Sequence, residues 1–122
     1  MTGTYTQITE ITAPSSAMAG DTIDIVVRVK NLYSSAIYIA VTASYDGDTI
    51  PITPDYQSVD AGVIGVYNGS FTMPNNNVRE YVWSYYWTGS EWYLDDQAYV
   101  DIALAVLTPQ ISQFQIVDYA KV

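Results

Sequence analysis

Residues 13–47 read APSSAMAGDTIDIVVRVKNLYSSAIYIAVTASYDG, from Ala13 to Gly47. A proline and the pair Gly20-Asp21 precede two runs in which apolar and polar residues alternate. In the first run Ile23, Ile25, Val27 and Val29 share one face, opposite Asp24, Val26, Arg28 and Lys30. In the second, Ile37, Ile39, Val41, Ala43 and Tyr45 repeat the pattern. A period of two is the mark of a strand with one buried face. Asn31 and Asp46-Gly47 supply turn chemistry at the ends. Two consecutive half-buried strands joined by a short turn predict an all-β sandwich.

The rest of the chain extends this pattern. Thr49–Thr53 reads as a short strand, with Pro51 placing it at an edge. Residues 55–62 read as loop. Val63–Met73 reads as a strand whose Gly65 and Gly69 mark a bulge or a close approach of another backbone. Pro74-Asn75-Asn76-Asn77 is a loop. Glu80–Thr88 is the most aromatic strand, with Tyr81, Trp83, Tyr85 and Trp87 on one face. That face is expected to form core. Thr88-Gly89-Ser90-Glu91 turns the chain into a return strand with a bulge or break at Asp95-Asp96-Gln97. No segment carries an apolar stripe of helical period, and strands recur roughly every 8–12 residues, which predicts about seven antiparallel strands.

Composition narrows the function classes. The chain has 122 residues, which is one domain by size, and 49% of them are hydrophobic, enough for a real core. Cysteine and histidine are absent. Thiolate ligation, disulfide stapling and the commonest general base are thereby excluded. The net charge is −9, from 4 Lys+Arg against 13 Asp+Glu, which argues against nucleic acid as a partner. No apolar run is long enough to span a bilayer, so no membrane partner is expected. Met1–Tyr5 has neither the basic nor the apolar region of a signal peptide. The chain therefore reads either as one that begins at its own Met or as a trimmed domain. Only 14% of residues are charged, while 12 are tyrosine. Either the lineage is sparing with lysine, or much of the surface is covered in an assembly.

With the strands placed, a resemblance is visible. Pro14, Gly20-Asp21, Val27-x-Val29-x-Asn31, Ala36 and Asp46-Gly47 resemble the CARDB and related bacterial or archaeal immunoglobulin-like domains. Phe71-Thr72-Met73-Pro74, the aromatic strand after it and Asp101 fit the same pattern, over roughly Ile8 to Leu104. The chain departs from it in placing Leu32-Tyr33 where a glycine would follow Asn31. The resemblance implies an immunoglobulin-like β-sandwich at residues 1–107 and a role in adhesion, spacing or assembly. It brings no catalytic residues.

Residues 108–122 form an extended C-terminal arm that such a sandwich does not require. Ser112, Phe114, Ile116, Asp118, Ala120 and Val122 fall on one face. The arm is either one more edge strand of the same domain or an addition to a neighbour's sheet edge. In the second case Phe114, Ile116 and Tyr119 are the interface anchors.

Candidate chemistry is sparse. Glu10, Glu80 and Glu91 are scattered, and no lysine lies in a Ser-x-x-Lys motif, so no catalytic residues are assigned and no enzyme activity is expected. Asp46-Gly47-Asp48 and Asp95-Asp96 offer oxygen atoms to calcium without the spacing of a calcium loop. Asp46 is fully explained by its turn, so no metal site or cofactor is assigned. Trp87 and Trp92 are candidates for stacking on a glycan. The expected function is that of a non-catalytic structural subunit, most specifically a virion accessory protein such as a capsid decoration or fibre module. Its partners would be other protein subunits in a homo-oligomer or lattice. The alternative is a glycan-binding or adhesion module at the cell surface. If the arm acts on a neighbour, deleting residues 110–122 should leave circular dichroism unchanged while light scattering shows assembly lost. Unfolding or unchanged assembly refutes that role.

Overall fold

The computed structural model describes residues 3–106, so Phe114, Ile116, Tyr119 and the rest of the arm lie outside the described residues. Ten strand segments follow one another: β1 (Thr6–Thr12), β2 (Ser16–Ala17), β3 (Thr22–Asn31), β4 (Ile37–Tyr45), β5 (Asp48–Ile50), β6 (Ile52–Thr53), β7 (Tyr56–Val59), β8 (Ile64–Thr72), β9 (Val78–Trp87) and β10 (Trp92–Leu104). One sheet has the order β1-β3-β8-β6; the other has β2-β10-β9-β4-β5, with β7 also on β4. This is the two-sheet order of an immunoglobulin-like sandwich.

The expected core strands hold. Ile23, Ile25, Val27 and Val29 of β3 are buried against Ile39, Val41 and Ala43 of β4. The inward face of β8 alternates Gly65, Tyr67, Gly69 and Phe71. The glycines mark close approach, since β8 pairs with β3 without a register shift. A Cβ on Gly69 would lie 2.8 Å from Ile52 Cδ1 and 2.9 Å from the Pro51 carbonyl oxygen. The space they leave admits Tyr67, whose hydroxyl donates across the sandwich to the Ile39 carbonyl, 2.6 Å away.

Three readings of the sequence need correction. Thr49–Thr53 is two strands in different sheets: Ile50 pairs with Ala43 and Ile52 with Gly69. Pro51 sits at the crossing, where a residue without an N–H forfeits no ladder bond. Residues 55–62 are not all loop, because Tyr56–Val59 pairs with Ile37–Ala40. Third, the aromatic face of β9 points outward. Val78, Val82 and Ser84 are buried, whereas Tyr81 is 41% exposed. Directly paired residues share a face. Val82 opposes Ala43 and Ala98, and Val78 opposes Ile102, so the aliphatic set of β9 must face inward.

The return strand is continuous, with a bulge between Leu94 and Asp96. An extra residue at a bulge lets neighbouring side chains reach the same side, and both aspartates grip β1, the edge of the other sheet. Asp95 Oδ1 accepts from the Thr4 amide, 3.0 Å away. Its Oδ2 accepts from the amides of Tyr5 and Thr6 and from the Thr6 hydroxyl, at 3.1, 2.7 and 2.6 Å. The Thr6 hydroxyl proton is thus committed to Asp95, leaving Ser84 to donate to Thr6 Oγ1 at 2.8 Å. Asp96 Oδ2 accepts from the Ile8 amide at 2.9 Å. Glycine is required at position 3, because a Cβ there would collide with the Asp95 carboxylate.

Asp95→Ala should therefore lower stability by about 2–4 kcal/mol, since several charge-assisted bonds are lost together. Urea denaturation measures it. A loss below about 0.5 kcal/mol, the range of ordinary surface substitutions, refutes the grip.

Candidate binding face

The outer face of the β10-β9-β4-β7 layer follows from the pairing just described. With Val78, Glu80, Val82 and Ser84 inward, alternation turns Arg79, Tyr81, Trp83, Tyr85 and Trp87 outward. Tyr99 of β10 pairs directly with Tyr81, so it stands beside it on the same face. Tyr38 of β4 and Tyr56 of β7 extend the band.

The aromatic side chains form two clusters on this face. In the first, Tyr81 and Trp83 lie nearly parallel, with centroids 5.9 Å apart and planes 20° apart. Tyr99 is 6.0 Å from Tyr81, and the Arg79 guanidinium lies 4.2 Å from the Tyr99 ring centroid. Arg79 is also held by Asp101, from Nε to Oδ1 at 2.8 Å and from Nη2 to Oδ2 at 3.2 Å. The guanidinium pulls the Asp101 carboxyl below its usual range. Gln97 and Ala98 complete the lining of a shallow cleft here.

The second cluster contains both expected glycan-stacking residues. Trp87 and Trp92 oppose each other across the β9–β10 hairpin with centroids 5.2 Å apart. Tyr56 lies 5.8 Å from Trp92, and Tyr38 lies 5.7 Å from Tyr56. The four rings line a cleft of about 330 Å³. Sequence reasoning missed Tyr38 and Tyr56, the latter because β7 read as loop. It also missed the outward Tyr81, Trp83 and Tyr99. The usable signal was the match of Val82, opposite in parity to Tyr81 and Trp83, with the small apolar Ala43 and Ala98 on the neighbouring strands.

Other candidate residues are accounted for by local structure. Asp46, with a φ of 46°, sits in the β4–β5 turn and accepts from Asn76 Nδ2 at 3.0 Å. Asp95 and Asp96 are occupied by β1. Among the described residues no group of three or more Asp or Glu side chains is placed to hold a metal ion. Glu10 pairs with Arg28 at 3.3 Å, and Glu91 accepts from the Tyr93 hydroxyl at 3.1 Å. The three glutamates therefore share no site. Glu80 is the unusual one. It is fully buried beside Val78 and Val82, and among the described residues neither carboxyl oxygen has a hydrogen-bond partner. Burial pushes its pKa up to about 7.

No protein-family model matches the chain, and no curated protein matches it in sequence. Solved structures do match in shape. The chain is similar to a CARDB domain from Pyrococcus furiosus, crystallised in complex with di-metal ions, with a TM-score of 0.63 and 16% identity over 86% of this chain and 93% of that one. It is similar to part of an alpha-2-macroglobulin from Escherichia coli, with a TM-score of 0.61 and 14% identity over 85% of this chain and 17% of that one. It is also similar to the cupredoxin domain of amoB from Nitrosocaldus yellowstonii, with a TM-score of 0.56 and 7% identity over 98% of this chain and all of that one (100%). At these identities the likeness establishes the fold, an immunoglobulin-like β-sandwich.

The buried carboxyl predicts an inverted pH dependence. Its folded pKa lies above its unfolded value, so its ionisation penalises only the folded state. That penalty is absent below the unfolded pKa, near 4.5, and grows until pH passes about 7. Its full size is on the order of 3 kcal/mol. The urea midpoint of the wild type should fall between pH 5 and pH 8, and Glu80→Gln should flatten that fall. Parallel curves for the two proteins would exclude Glu80 as the titrating group.

Proposed function

We propose that the chain is a non-catalytic assembly module that packs against other protein subunits through the aromatic face of its larger sheet. The observation that carries this reading is the inversion in β9. Tyrosine and tryptophan occupy the solvent side, at Tyr81, Trp83, Tyr85 and Trp87, where a free sheet face ordinarily carries charge. Tyrosine, tryptophan and arginine are the residues enriched at interface centres, and Arg79 stands among them. The low charge and abundant tyrosine of the whole chain support the same reading. Its most specific form is a virion accessory subunit, a capsid decoration or fibre module, supported by the small sandwich and its acidic, tyrosine-rich surface. The C-terminal residues Phe114, Ile116 and Tyr119 would be additional anchors.

A second reading, glycan binding at a cell surface, is favoured by one observation. The near-parallel Tyr81–Trp83 pair is a platform of the sort a sugar ring stacks on, and Gln97 beside it supplies a planar hydrogen-bonding group.

Light scattering separates the two readings. Under the first, the wild type shows a mass above the 13.5 kDa of the monomer, rising with concentration. Trp83→Glu should return it to monomer with circular dichroism unchanged, because the side chain is outside the core. A wild-type monomer at every concentration, with saturable oligosaccharide binding lost in Trp83→Ala, overturns assembly in favour of glycan recognition.

A further inference from the structure

The cleft between Tyr38, Tyr56, Trp87 and Trp92 differs in shape from the Tyr81–Trp83 platform. Its neighbouring rings are steeply inclined to one another: 81° for Tyr38 and Tyr56, 57° for Tyr56 and Trp92, and 56° for Trp92 and Trp87. A sugar stacks on a flat surface, whereas these rings stand as the walls of a box. Four strands supply one wall each: β4, β7, β9 and β10. Ring faces carry the negative part of the aromatic quadrupole, so inclined rings around one volume favour a cation there. The chain's charge of −9 acts in the same direction. The face already shows this chemistry at its other end, where the Arg79 guanidinium lies over Tyr99.

We propose that this box binds a quaternary ammonium group. Among the described residues its lining consists of the four aromatic side chains, with no carboxylate. A primary ammonium is strongly hydrated and would give up its water for ring faces alone. A methylated ammonium holds water weakly, presents an apolar surface and fits walls made of rings. A volume of about 330 Å³ accommodates such a headgroup. This site goes beyond the assembly reading, which rests on the aromatic face as a whole and shares Trp87 with the box.

The test uses the indole N–H signals of the 3 tryptophans in a ¹H–¹⁵N spectrum of the full chain. Choline should shift the Trp87 and Trp92 signals saturably while Trp83 stays in place. The neutral isostere 3,3-dimethylbutanol should bind about tenfold more weakly, because only the cation–π contribution separates the two. Tyr56→Leu, at a half-exposed edge position, should weaken choline binding severalfold with circular dichroism unchanged. Trp92→Phe retains a ring and should retain most of the binding, which guards against a folding artefact. Phosphatidylcholine vesicles distinguish sources: cosedimentation assigns a lipid headgroup, and choline binding without it assigns a soluble or peptide-borne cation. Both support the site. Equal binding of the isostere, absence of a saturable choline shift, or shifts of Trp87 and Trp92 with methyl glucoside alone would overturn it.

Discussion

The bond between Asp95 and the backbone of residues 4–6 is the constraint on which the rest of the sandwich depends. Two sheets packed through aliphatic side chains are free to slide, because burial is non-directional. Here a carboxylate on β10, the last described strand, accepts from consecutive amides at the start of β1, on the opposite sheet. Asp96 repeats the link one step further along, at Ile8. Together they fix how the sheets sit on each other, and Tyr67 pins the middle from β8 to Ile39. The β10 bulge that aims both aspartates also leaves Asp96 buried, where every bond to its charge counts for more.

With the sheets so fixed, the aromatic residues have one place to go. The space between them is filled by aliphatic side chains together with Tyr67 and Phe71, which alternate with the glycines on the inward face of β8. The rings of β9 therefore lie outside, where hydroxyl and indole N–H groups reach water and ring faces remain free. The two clusters on that face have different geometries, one flat and one boxed. The cause is local: Tyr81 and Trp83 stand in line along one strand, whereas the box draws its walls from four. Glu80 is the price of the inversion, a carboxyl turned inward by the same parity that turns Tyr81 and Trp83 out.

The fold was legible because β3 and β4 alternate cleanly and end in residues with turn chemistry. Gly20 and Gly47 do adopt positive φ, at 91° and 84°. The V-x-V-x-N ending was also informative, since Asn31 is buried and its side-chain amide bonds to the carbonyls of Ser35 and Val59. The choice of inward face on β9 was not legible from that strand alone. Hydrophobicity ranks Trp and Tyr beside Val, and only the pairing of Val82 with Ala43 and Ala98 decides between the two parities. Strand β7 escaped notice because four residues carry little periodicity. The role of Asp95 and Asp96 escaped because a bulge sets side-chain direction through pairing, which adjacent acidic letters do not encode.

The grip on β1 also orders events in time. Its bonds join residues 88 to 91 positions apart in the chain. Contacts of such separation close late, after the loop entropy between them has been overcome. On the ribosome β1 can pair with β3 as soon as both emerge, yet its first amides wait until nearly the whole domain has been made. Until then the amides leading into β1 are unpaired and open to any passing chain. The sandwich is thus latched by β10, and synthesis of that strand is the event that closes it.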